Sequence, residues 1–312
     1  MKIPAYIAEY RYLPVVAAIL VMGTKTPSIY ARTPVIAPAV AADSTAPRTS
    51  PWSRDTLVGR SGKLWMKLLS AKPGDSTGIL SRLFGDSVTA RPGVYAVRDS
   101  AIKLDFNFVN LVPFSAKKKG MLGTYRMGSW PAEQRGVSDR YGNPAGFIEV
   151  TRENQDTRIS EHFRLRDFLT KDQANVWPKY LVLQENLIDK LELLIGALSK
   201  RGVNVTRMSV MSGFRTPQYN ERGVGAGGRA QNSRHQYGDA ADVFVDNDGN
   251  GGMDDLNGDG RVNTADARWL AQVVEQVEQE HPALIGGVGI YSATSAHGPF
   301  VHVDVRGTKA RW

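Results

Sequence analysis

Apolar residues in the second half of the chain recur first at helical and then at strand spacing. Between residues 181 and 198, Leu183, Leu187, Leu191, Leu194 and Leu198 fall three or four positions apart, which predicts an amphipathic helix ended by Gly202. Residues 207–212 and 240–245 read as buried strands, 266–280 as a second helix and 300–305 as a last strand. Helices and strands in this order lack regular strand–helix–strand alternation, so the predicted class is α+β.

The preceding stretch, residues 56–150, has a different texture. Short apolar segments at 93–97, 102–108 and 146–150 are separated by Gly, Pro, Asn and Asp, and the second of them alternates strictly. That pattern predicts a small β-rich region. Lys117, Lys118 and Lys119 lie near Tyr125 and Trp130, either as a solvated loop or as a surface for a wall polymer. Further upstream, residues 43–55 continue a Pro-, Ala-, Ser- and Thr-rich run and read as a linker. Lys2 and Arg11 precede an apolar run at 13–22, which is too short for a span of about 20 residues. It fits the apolar core of a signal peptide, and small residues suited to cleavage follow at Ala31 and at 39–42. Residues 1–42 are therefore expected to be a signal peptide or a retained anchor. The expected location is the periplasm, the cell envelope or the exterior, with membrane contact only through that segment if it is uncleaved.

Composition narrows the chemistry. A formal charge of +8 calls for an acidic partner, but no nucleic-acid-binding signature accompanies it, so no nucleic acid is expected. The absence of cysteine excludes disulfides, thiolate metal sites and a cysteine nucleophile together. Any metal must be held by His, Asp and Glu.

Three segments carry such residues: 212–220 with Arg215, 233–242 with Ser233, His235 and Asp242, and 286–304 with His297, His302 and Asp304. Strand alternation sets Asp242 opposite to Ala241, Val243 and Val245, and sets His302 and Asp304 opposite to Val301, Val303 and Val305. Gly238 allows a turn between His235 and Asp242. Two His and one Asp can supply three ligands and leave a fourth tetrahedral position open, as catalytic zinc requires.

The ordered motifs Ser-Gly-Phe-Arg-Thr-Pro at 212–217, Ser-x-His-x-x-Gly-x-Ala-x-Asp at 233–242, Gly-Gly-Val-Gly-x-Tyr at 286–291 and Phe-Val-His-Val-Asp at 300–304 resemble the zinc D-alanyl-D-alanine carboxypeptidases and endopeptidases, which share their zinc-site fold with hedgehog domains. The similarity runs from about residue 158 to 312 and leaves residues 1–150 outside it. It implies a hedgehog-like zinc domain at 158–312, with His235, Asp242 and His302 as zinc ligands and Ser233 beside them. Arg215 is implied to stabilise an oxyanion or to hold a substrate carboxylate. Many relatives carry an acid three residues before the last His, where this chain has Pro299. The general base is then Asp304, which could instead orient His302, or His297.

A second metal pattern interrupts this domain at 246–266. Asp255, Asn257, Asp259, Asn263 and Asp266 occupy the oxygen-bearing positions of an EF-hand loop. Gly260 supplies the sharp turn and Arg261 the carbonyl. Asp in place of Glu at the last position resembles dockerin-type calcium loops. An overlapping upstream loop begins with Asp246, Asp248 and Asn250 and ends at Asn257. The combined expectation is a zinc- and calcium-bearing peptidase of D-amino-acid-containing peptidoglycan peptides, as carboxypeptidase or cross-link endopeptidase. The alternatives are a non-catalytic zinc-bearing wall-binding module and a calcium-dependent adhesion protein.

Overall fold

In a computed structural model, the chain is described at residues 57–69, 91–99, 104–134 and 141–312. The expected signal segment and linker lie outside the described residues. Strand β1 (Met66–Leu69) pairs in parallel with β3 (Leu104–Asn110), which also pairs with β2 (Gly93–Asp99). The alternating segment expected at 102–108 thus begins, among the described residues, at Leu104. Strand β4 (Val112–Pro113) leads to the short hairpin β5 (Met121–Leu122) and β6 (Tyr125–Arg126), then to the single turn α1 (Pro131–Gln134). A third sheet joins β4 to β7 (Gly146–Val150) and β7 to β8 (Lys179–Leu181).

Helix α2 runs Glu185–Lys200, four residues shorter at its start than its leucine period suggests. Lys179–Leu181 is captured by β7 instead, with Leu181 opposite Ile148. Periodicity could not distinguish these outcomes, because Leu181 and Leu183 are buried in either one. Leu187, Ile188, Leu191, Leu194, Ile195 and Leu198 form the buried stripe of the helix. Each such side chain contributes about 1.5–3 kcal/mol of burial. At its end the Val203 amide bonds back to the Leu198 carbonyl.

The sheet that matters for function contains β9 (Met208–Ser212), β10 (Ala240–Val245), β11 (Gly287–Tyr291), β12 (Phe300–Asp304) and β13 (Ala310–Arg311). Its spatial order is β13–β11–β12–β10–β9. Between β9 and β10 lies the short helix α3 (Pro217–Glu221), capped by the Thr216 side chain. Helix α4 (Thr264–Glu280) follows β10 and packs on β11, β12 and α2. It starts two residues before Asp266, because Asn263 and Asp266 form a reciprocal capping box. The architecture is α+β.

Residues on both sides of the texture change near 150 share one hydrophobic core. Leu64, Met66, Val109, Trp130 and Phe147 belong to the same buried cluster as Leu191, Val243, Val273 and Val301. A smaller cluster joins Leu57 to Tyr95 and Val97 of β2 and to Phe106 and Phe108 of β3. The described residues all fall within one unit, Thr33–Trp312. Tyr125 and Trp130 are both buried, and the Trp130 indole donates to the Gln236 carbonyl at 2.9 Å. Lys117 turns inward to Glu133 and to the Gly128 carbonyl. The aromatics beside the lysine run therefore serve the core rather than a binding surface. No helix among the described residues is long and apolar enough to cross a membrane.

Candidate metal centre

Antiparallel pairing of β10 with β12 places Asp242 directly opposite His302. The third residue arrives on a 3-10 turn at Arg234–Tyr237, which carries His235 back over the sheet. That turn ends at Gly238 with φ of +67°, and a Cβ there would collide with the Val182 carbonyl. Glycine is required at this point for both reasons.

The three donor atoms converge. His302 Nδ1 lies 3.0 Å from Asp242 Oδ1, His235 Nε2 lies 3.2 Å from the same oxygen, and the two ring nitrogens are 3.1 Å apart. Tetrahedral zinc with nitrogen and oxygen ligands at about 2.0–2.1 Å separates its donors by about 3.3 Å. All three side chains are almost wholly buried, and the group could hold a metal ion.

The opposite ring nitrogens determine the tautomers. His235 Nδ1 lies 2.7 Å from the Gly213 carbonyl, which can only accept, so Nδ1 carries the proton. His302 Nε2 lies 3.1 Å from Asp304 Oδ2, which requires a proton on Nε2. Both remaining lone pairs then point at one another and at a carboxylate. A shared proton or a metal cation relieves that arrangement, so the donor set fits zinc.

Electrostatics divide the pair of histidines. Burial pushes the His235 pKa down, and the nearby Arg215 charge adds to this. At His302, burial also opposes the charged form, but hydrogen bonds and charges from Asp242 and Asp304 prevail and raise it. Asp242 is held well below the ordinary carboxylate range, because its interactions with both histidines outweigh the cost of burial.

Asp304 does not face the cleft. It is fully buried behind His302 and accepts from the Gly287 amide at 2.7 Å and from the Arg306 guanidinium. Burial raises its pKa, yet the His302 and Arg306 contacts overcome that and draw it far down. Of its two expected roles, this position suits orienting His302. A Cβ on Gly287 would meet the Asp304 carboxylate, which explains glycine at the facing position of β11.

His297 sits on the rim instead, half-buried, with its ring 5.0 Å from that of Phe300. Arg215 places Nη2 2.6 Å from Asp242 Oδ2 and Nε 2.8 Å from Ser212 Oγ. One Asp242 oxygen thus faces the histidines while the other faces Arg215. Burial lowers the Arg215 pKa, partly offset by Asp242. Ser233 lines the cleft and precedes the His235 turn, where its carbonyl accepts from the Gln236 amide.

The donors open into a cleft of about 920 Å³. Among its described lining residues, Asp242 is the sole carboxylate, whereas Lys171, Arg215, Arg229, Arg234 and Arg306 are cationic. Trp312 forms one wall, with its ring 5.2 Å from that of His302 and its indole nitrogen donating to the Tyr291 hydroxyl. Periodicity held no signal for Trp312, Arg306 or Gly213, since each reaches the site through a turn or a strand end.

The Asp/Gly/Asn segment is arranged around its own backbone. Asp255 accepts from the Gly258 and Gly260 amides, and Asn257 Oδ1 accepts from Asp259. Asp259 accepts from the Arg261 amide and Asn263 from Ala265. Asp266 accepts from Leu256, Asn257 and Asn263. Upstream, carboxylate oxygens of Asp246, Asp248 and Asp254 lie within 4.8 Å of one another, while Asn250 donates to Asp248. Asp254 is absent from the expected set, although it stands at position nine counted from Asp246. Burial raises its pKa, and Asp248 and Asp246 raise it further.

A scan against protein-family models finds no match to this chain, and a search of curated proteins finds none either.

Proposed function

We propose that the chain is a zinc-dependent peptidase acting on D-amino-acid-containing peptides of peptidoglycan, with a hedgehog-like zinc domain and His235, Asp242 and His302 as ligands. The observation that carries the reading is the convergence of three buried donors, with the remaining ring N–H of each histidine engaged elsewhere. When bound, zinc supplies Lewis-acid polarisation of a carbonyl and lowers the pKa of water. Asp304 and the Gly213 carbonyl keep the two rings oriented. Arg215 presents a fixed positive charge beside the ligands and donates to an oxyanion or substrate carboxylate. His297 is half-buried on the rim of the cleft and is given the role of accepting a proton from the reacting water. Calcium in the 246–266 segment belongs to the same proposal.

The deciding experiment incubates the purified chain with peptidoglycan sacculi, with chelator and with added zinc, and identifies released muropeptides by mass. New peptide products that require zinc are expected. Binding to sacculi without any release would favour the second reading, a zinc-bearing wall-binding module. Pro299, and a cleft in which Asp242 is the sole described carboxylate, are the observations that favour it.

A further inference from the structure

We propose that Arg229 is a specificity-determining residue that takes a carboxylate of the ligand, so that the metal cleft selects acidic peptides over neutral ones. The proposal rests on the peptide-cleft reading above and deepens it.

The argument begins with where each cation of the cleft spends its charge. Arg215 is tied to Asp242, Arg234 to Asp239 and Arg306 to Asp304. Arg229 is held as firmly, but by neutral groups. Its Nη1 donates to the Tyr219 carbonyl at 2.5 Å, and its guanidinium lies 4.2 Å from the centre of the Tyr219 ring. Its side chain also runs across Gly223, where a Cβ would collide with it. Among the described residues no carboxylate pairs with it, and the residue lines the metal cleft.

A planar guanidinium fixed in orientation and not neutralised matches a carboxylate through two parallel hydrogen bonds. Lys171 also lines the cleft without an ion pair among the described residues, but its exposed side chain is held by nothing comparable. Arg215 is a weaker candidate for this task, because Asp242 and Ser212 already occupy two of its nitrogens. The charge of Arg229 is felt at Arg215, where it opposes protonation after the larger effects of burial and Asp242. Two cations that repel one another across a concave surface attract an anion between them.

The test measures binding to the full-length chain in chelator by calorimetry, apart from any hydrolysis. One probe is N-acetyl-L-Ala-γ-D-Glu-L-Lys-D-Ala-D-Ala, and the other is the same peptide with carboxamides in place of both carboxylates. The acidic peptide is expected to bind the parent roughly tenfold or more tightly than the amide, the scale of a charge-assisted hydrogen bond. Arg229→Gln should bring the two affinities within about twofold, while Lys171→Gln should keep most of the preference. Arg229→Lys retains charge without the fork and should show a reduced preference, which serves as the second reading if the Gln variant does not fold. Equal affinities in the parent, or an undiminished preference in either Arg229 variant, would overturn the proposal. Hydrolysis of sacculi is scored separately. A chain that keeps the preference but releases no peptide loses the peptidase reading and keeps the anion site, and the reverse result does the opposite.

Discussion

Asp242 and His302 face each other across two antiparallel strands, with His302 Nδ1 3.0 Å from Asp242 Oδ1. Slipping β12 by one residue would turn Val301 or Val303 toward the cleft and bury the histidine among the core valines. The contact is therefore a direct report of register. Replacing His302 with Ala should sharply reduce bound zinc after dialysis, as measured by atomic absorption, and abolish hydrolysis. Stoichiometric zinc retained by the variant would remove His302 from the ligand set.

Asp304 tests the orienting role. Asp304→Asn keeps the side-chain shape but removes the charge that meets His302 and Arg306. Zinc affinity should fall by about 10–100-fold, the usual effect of losing a group that orients a ligand. A competition titration against a chelator of known affinity measures it, and an unchanged affinity would contradict the role.

Arg215 and His297 separate catalysis from metal binding. Arg215→Ala should lower turnover by about 100-fold or more while zinc stays bound, as removal of an oxyanion donor does. His297→Ala should lower turnover by roughly the same order, and leave zinc and the melting temperature near those of the parent. Parent-like hydrolysis by either variant would reject the role given to that residue.

A buried ion pair supports the sheet from behind. Lys190, wholly buried on α2, donates to Glu278 of α4 at 2.7 Å and to the backbone carbonyl of Asp304 at 2.8 Å. Lys190→Met leaves Glu278 with only Arg311 and the Gly286 amide. Unfolding in urea should show a loss of about 3 kcal/mol, as for other broken buried pairs. A change within experimental error would mean that the remaining partners suffice.

Calcium should raise the thermal midpoint of the zinc-loaded chain. Binding to the folded form alone adds about 2.7 kcal/mol at a hundredfold excess over Kd. Asp248→Asn and Asp259→Asn address the upstream and downstream loops separately, and the variant that loses the calcium response identifies the loop that binds. A parent midpoint insensitive to calcium would mean that the carboxylates serve only the loop amides, as the Asp255 and Asp266 contacts already do.

Local chemistry carried a large part of this protein in its sequence. The valine alternation around His302, the strand at 240–245 and the leucine stripe of α2 all depend on residues within a turn or two of each other. The residue types able to hold a metal were nameable for the same reason, since cysteine is absent and two histidines stand beside glycine turns and valine strands. What only the tertiary structure decided involves partners far apart in the chain. It set Asp242 opposite His302, turned Nε2 of one ring and Nδ1 of the other inward, and put Asp304 behind the site rather than in the cleft. It also drew Lys179–Leu181 into a strand and buried Trp130 against the His235 turn. Periodicity records which face of an element is apolar. Register, ring orientation and the sharing of one core follow from hydrogen bonds and packing between elements, which no local pattern encodes.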